Sequence, residues 1–130
     1  MSVFINFVYG NTIYNLYTNS TSSGQIFGIN SGAGGTVNIY KNKIYNLFPG
    51  QNTTAGSSLA KGIGVTSGTT VSVFNNMISL DLTQANAATT GVNAGNVLNG
   101  SDVLRGIDLI SSTPTSTNNL YFNSIYLKGT

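Results

Sequence analysis

One short pattern is written four times along this chain, and it limits the fold more than any other feature of the sequence. Its clearest copy is Val37-Asn38-Ile39-Tyr40-Lys41-Asn42-Lys43-Ile44-Tyr45-Asn46-Leu47, and the others run Asn6–Leu16, Val71–Asp81 and Asn118–Lys128. Aligned on the central asparagine (Asn11, Asn42, Asn76, Asn123), the copies share an apolar column of Val8, Ile39, Val73 and Leu120. They also share aromatic Tyr9, Tyr40, Phe74 and Tyr121, then Ile13, Ile44, Ile78 and Ile125, and finally Tyr14, Tyr45, Ser79 and Tyr126.

Apolar and other residues alternate with period two on both sides of each asparagine, which predicts two short strands joined at a corner. Val37, Ile39 and Ile44 face one way, Tyr40 and Tyr45 the other. A two-residue hairpin would explain one copy. It does not explain the third strand signal between copies: Gly28-Ile29, Gly62-Ile63-Gly64-Val65 and Gly106-Ile107-Asp108-Leu109. The complete unit is therefore strand, turn, strand, asparagine corner, strand and loop. Gly28 to Thr36 and Gly62 to Thr70 are both eight positions apart, while Gly106 to Thr117 is eleven, with the extra residues placed around Pro114. The loop closing each unit lengthens from Thr18–Gln25 through Pro49–Ala60 to Thr83–Leu104, the last with room for a flap, a local strand or one helical turn.

Three strands per turn with no helices between them wind as a coil. Each strand then pairs in parallel with its counterpart one rung away, about 4.8 Å along the axis. The expected fold is all-β: a right-handed parallel β-helix (solenoid) of about three to four coils with three short strands per coil, filling 1–130 as a single domain or a segment of a longer helix.

The asparagine corner between two alternating strands resembles the right-handed parallel β-helix of the pectate-lyase-like superfamily. The run Asn119-Leu120-Tyr121-Phe122-Asn123-Ser124-Ile125-Tyr126-Leu127 also resembles repeats of large secreted bacterial surface proteins. The resemblance implies that Asn11, Asn42, Asn76 and Asn123 form a structural ladder, each in the left-handed conformation and bonding backbone groups of adjacent coils. It carries no single activity, because lyases, hydrolases, adhesins and spacers share this architecture.

Composition narrows the function. Hydrophobic residues make up 40% of the 130, enough for a core, whereas charged residues are only 6%. The five basic and three acidic side chains form no run or stripe, so nucleic acid is not an expected partner. No apolar run reaches the roughly 20 residues of a membrane helix, so no membrane insertion is expected. Cysteine is absent, which removes disulfide and thiolate chemistry. Met1–Gly10 lacks a basic start and belongs to the first repeat, and so does not read as a signal peptide.

Little here suggests catalysis. Polysaccharide hydrolysis needs paired carboxylates, and the chain has Asp81, Asp102 and Asp108, with no Glu and no His. Asp102, Arg105 and Asp108, with Lys61 one coil away, form a candidate polar cluster that reads first as an ion pair at a loop–strand junction. Calcium sites want six to eight oxygens, so no metal and no cofactor are expected. Gly32-Ala33-Gly34-Gly35 precedes no helix and is a turn, not a phosphate loop. Three glycosylation-type triplets, at Asn19, Asn52 and Asn99, lie in Asn/Thr-rich loops where such triplets arise by chance.

The strongest surface signal is aromatic. Tyr9, Tyr40, Phe74 and Tyr121 form one outward column and Tyr14, Tyr45 and Tyr126 another, each able to stabilise the sheet or to serve as a contact ladder. The first copy lacks a preceding third strand and the last stops two residues beyond its repeat, so outer rungs with open edges are expected. The function expected is a non-enzymatic structural or adhesive element, extracellular or at a cell surface. It self-associates by end-to-end stacking or as a filament, or belongs to a larger surface protein whose flanking coils cover it. The alternatives are a carbohydrate-binding or polysaccharide-cleaving module with glycan partners, and an ice-binding solenoid using the column Thr36, Thr70 and Thr117.

Overall fold

A computed structural model describes residues 4–17, 25–32, 34–48, 59–81, 103–110 and 115–128. It contains eleven strands: β1 (Ile5–Tyr9), β2 (Thr12–Tyr17), β3 (Gln25–Ser31), β4 (Thr36–Tyr40), β5 (Lys43–Phe48), β6 (Leu59–Val65), β7 (Thr70–Phe74), β8 (Met77–Asp81), β9 (Val103–Leu109), β10 (Thr117–Tyr121) and β11 (Ser124–Lys128). They assemble into three sheets, ordered β1-β4-β7-β10, β2-β5-β8-β11 and β3-β6-β9. Every pairing is parallel and joins the same position of successive repeats, for example Tyr9 to Tyr40 and Ile44 to Ile78. The chain is a parallel β-solenoid with three strands per coil.

The inward columns make the core. Ile39, Ile44, Ile63 and Val73 are fully buried, packed with Val37, Leu47, Val71, Ile78 and Leu80. Each column runs along the axis, so apolar side chains meet their own equivalents from the rungs above and below. Burying each such side chain contributes about 1.5–3 kcal/mol.

The third strand of each unit starts three residues before the glycine predicted to open it. Ile26 and Ile29 both point inward, as do Ala60 and Ile63, although only two residues separate each pair. Strict alternation is broken by the bend at Gly28, Gly62 and Gly106. A Cβ at Gly62 would stand 2.6 Å from both the Gly106 carbonyl oxygen and Ile78 Cγ2. Only glycine lets the third sheet approach the second this closely. The long loop expected over Thr83–Leu104 lies outside the described residues until Val103, where β9 begins.

The corner geometry corrects one expectation. The ladder asparagines do not take the left-handed conformation; the residue before each one does, with φ of 70° at Gly10, 56° at Lys41, 54° at Asn75 and 55° at Phe122. The asparagine must aim its amide into the stack, where Asn42 and Asn76 are buried. The turn is therefore taken by its exposed predecessor.

A second departure concerns the repeat itself. Asn15 and Asn46 also have positive φ, 54° and 55°, within β2 and β5. They are extra residues that open a bulge: Ile44 and Leu47 face inward three positions apart, whereas Ile78 and Leu80 do so two apart. Leu16 and Leu47 thus correspond to Leu80 and Leu127, not to Asp81 and Lys128 as counting from the corner implies.

Candidate functional site

Asn11, Asn42, Asn76 and Asn123 form one continuous file. Each amide nitrogen donates to the next Oδ1: Asn11 to Asn42 at 2.9 Å, Asn42 to Asn76 at 3.0 Å and Asn76 to Asn123 at 3.0 Å. The same oxygens also accept the backbone N–H of the preceding asparagine, at 3.1 Å each. A second amide proton reaches back to the rung below, from Asn42 to the Val8 carbonyl, Asn76 to Ile39 and Asn123 to Val73. A buried amide is thereby satisfied at both ends, which is what makes its burial tolerable. In the two bulged coils a shorter, exposed copy of this device pairs Asn46 Nδ2 with Asn15 Oδ1 at 3.0 Å. The repeated Tyr-Asn-Leu of those two copies alone is the sequence signal for it.

On the outer face of the first sheet, Tyr9, Tyr40, Phe74 and Tyr121 stack without interruption. Their centroids are 4.9, 4.8 and 4.8 Å apart and their planes lie within 9° of parallel. Phe122 meets Tyr121 edge-on at 5.7 Å. On the second sheet Tyr14 and Tyr45 stack at 5.1 Å. The next position is Ser79, in register with both Tyr45 and Tyr126, so the ring column is broken there. Thr36, Thr70 and Thr117 stand in a single file at the start of the first sheet's strands.

The polar cluster sits on the third sheet. Lys61 Nζ lies 2.6 Å from Asp108 Oδ2, and Arg105 Nη1 donates to Asp108 Oδ1 at 2.8 Å. Lys61 also lies 5.2 Å from the Phe27 ring centroid, in the space that Gly64 leaves open beside that ring. Lys61 and Asp108 are buried, so this is not the exposed surface pair that the sequence suggested. Burial alone would push the Asp108 carboxyl up; hydrogen bonds and charge from Lys61 and Arg105 outweigh it and hold the group below its ordinary value. Asp102 lies outside the described residues. A carboxylate clamped by two cations, with no second carboxylate beside it among the described residues, is a poor proton acceptor and lacks an acid partner.

No family model matches this chain, and comparisons with curated proteins and with solved structures found no match either.

Proposed function

We propose that the protein is a structural β-solenoid element that stacks end to end with copies of itself. The observation that carries this reading is the contrast within one column: Ile44 and Ile78 are 0% and 2% exposed, whereas Ile125 on the outer rung is 46% exposed. Leu120 is likewise 51% exposed where Ile39 and Val73 are fully buried. A further rung of the same kind would cover these side chains as the inner rungs cover theirs.

The asparagine file supports a polar, head-to-tail contact. Its donors point from Asn11 towards Asn123, so Asn123 faces the place of a next Oδ1. Carried one rung further, the pattern puts Asn11 of a second copy there, its amide donating to the Leu120 carbonyl. Tyr9 would extend the first aromatic ladder and Tyr14 would follow Tyr126. We also read the coil as right-handed and pectate-lyase-like, and the element as extracellular. Support comes from the asparagine file, the uncharged surface and the lack of an acid–base pair at Asp108.

Light scattering over a concentration series, with electron microscopy of the same sample, tests this. Rods that lengthen with concentration are expected, and Leu120→Glu with Ile125→Glu should stop them. A monomer at every concentration reached would sink the stacking reading.

A further inference from the structure

The break at Ser79 has a shape, and from it we propose a binding slot for one planar aromatic ring on the outer face of the second sheet, between Tyr45 and Tyr126. This inference is independent of end-to-end stacking, since both walls and the floor belong to one chain.

The first ladder shows what the second lacks. Phe74 sits between Tyr40 and Tyr121 with a ring 4.8 Å from each of its faces. Ser79 occupies the equivalent step of the second ladder, with Tyr45 one rung below and Tyr126 one rung above. Two rungs separate those tyrosines, about 9.6 Å at the usual strand spacing. A flat ring entering there has a neighbour on each face at the separation that the first ladder already uses. Offset stacking at this distance is favourable.

The space is present. A cleft of about 230 Å³ is lined by Lys43, Tyr45, Met77, Ser79, Ser124 and Tyr126, and a cavity of roughly 150 Å³ takes a benzene-sized molecule. Pairing between β5 and β8 stops at Tyr45 and Ser79, because the bulge at Asn46 ends their common register there. The strands are therefore not held together beyond the gap. Met77 is 58% exposed at its side, offering a thioether to a ring edge. Lys43 Nζ, 5.2 Å from the Tyr45 centroid, and the two serine hydroxyls supply polar partners for a ring hydroxyl. The ligand class is thus a small phenol: the missing tyrosine side chain as a free molecule.

The test is a titration of the intact protein with 4-methylphenol, followed by amide chemical shifts. Saturable shifts at Lys43–Tyr45, Met77–Ser79 and Ser124–Tyr126 are expected, with a dissociation constant in the millimolar range typical of so small a ligand. Ser79→Tyr, which fills the slot from within, should weaken binding at least tenfold, and Ser79→Ala should leave it unchanged. If Ser79→Tyr does not fold, Tyr126→Ser replaces it and should also abolish binding by removing one wall. Three results would each overturn the proposal: no saturable shifts, undiminished shifts in Ser79→Tyr, or shifts from a methyl glycoside but not from 4-methylphenol. Shifts that appear only as the protein self-associates would also overturn it, since they would assign the slot to a side chain of another copy.

Discussion

The side-chain amide of Asn76 donates to Asn123 Oδ1 at 3.0 Å while its own oxygen accepts from both the backbone and the side chain of Asn42. A further bond reaches the Ile39 carbonyl. One buried side chain thus fastens three consecutive rungs. Asn76→Ala should destabilise the fold by about 3–5 kcal/mol, since several buried partners lose their bonds at about 1–3 kcal/mol each. Asn11→Ala, on an exposed outer rung, should cost under about 1 kcal/mol. Urea unfolding of the two variants checks the difference.

The left-handed corners make an opposite pair of predictions. Lys41 bears a conformation that costs an ordinary residue about 1–2 kcal/mol, so Lys41→Gly should be neutral or raise the melting temperature slightly despite the looser unfolded chain. Asn42→Gly, one position later, should lower it sharply. If Asn42→Gly proved the milder change, the corner geometry described above would be wrong.

Gly62 has no room for a methyl group, with backbone and Ile78 both at 2.6 Å from a built Cβ. Gly62→Ala should therefore cost at least about 1–3 kcal/mol through overpacking. Gly34, which has nothing within 4 Å of its Cβ position, should accept alanine without loss. Thermal melts of the two variants give the comparison.

Asp108 should produce an acid limb in stability. Its folded carboxyl titrates below its unfolded value, so the stability it contributes is complete above the ordinary value of about 3.9 and is lost as pH falls through the lowered one. Asp108→Asn should remove that limb and, by leaving Lys61 and Arg105 without their counter-charge, cost about 2–3 kcal/mol near neutrality. Denaturant midpoints from pH 2 to 7 (roughly the carboxylate range and above) would show whether the limb disappears.

Phe74 sits between two rings, each stack worth about 0.5–1.5 kcal/mol beyond its buried area. Phe74→Ser would copy the Ser79 gap into the first ladder, and should lower stability by about 1–3 kcal/mol on that account. A loss much smaller than this would mean the stacked rings contribute little to holding the rungs.

The three-strand coil is legible in the sequence because its inward columns recur at fixed distances from an asparagine, so a period of two on each side of the corner suffices to place Ile39 and Ile44. The left-handed residue is not legible that way. Its placement depends on the direction of the Asn42 amide, a three-dimensional choice that Gly10, Lys41, Asn75 and Phe122 do not reveal by type. The bulge at Asn15 and Asn46 stays hidden because a leucine follows in every copy, and an alignment without gaps absorbs the shift. The burial of Lys61 and Asp108 is likewise not encoded by strand alternation, which places both on an outer face. The gap at Ser79, by contrast, is plain in the column Tyr14, Tyr45, Ser79, Tyr126, and becomes meaningful once Phe74 is seen filling the parallel position.

The bulge makes the first two coils one residue wider than the last two along the second sheet. Copies joined head to tail would then set a narrow coil against a wide one at each junction, once in every four rungs. A fibre built so carries its own ruler: diffraction along its axis should show the strand repeat near 4.8 Å and a subunit repeat near 19 Å, and the molecular length could be read without resolving a single side chain.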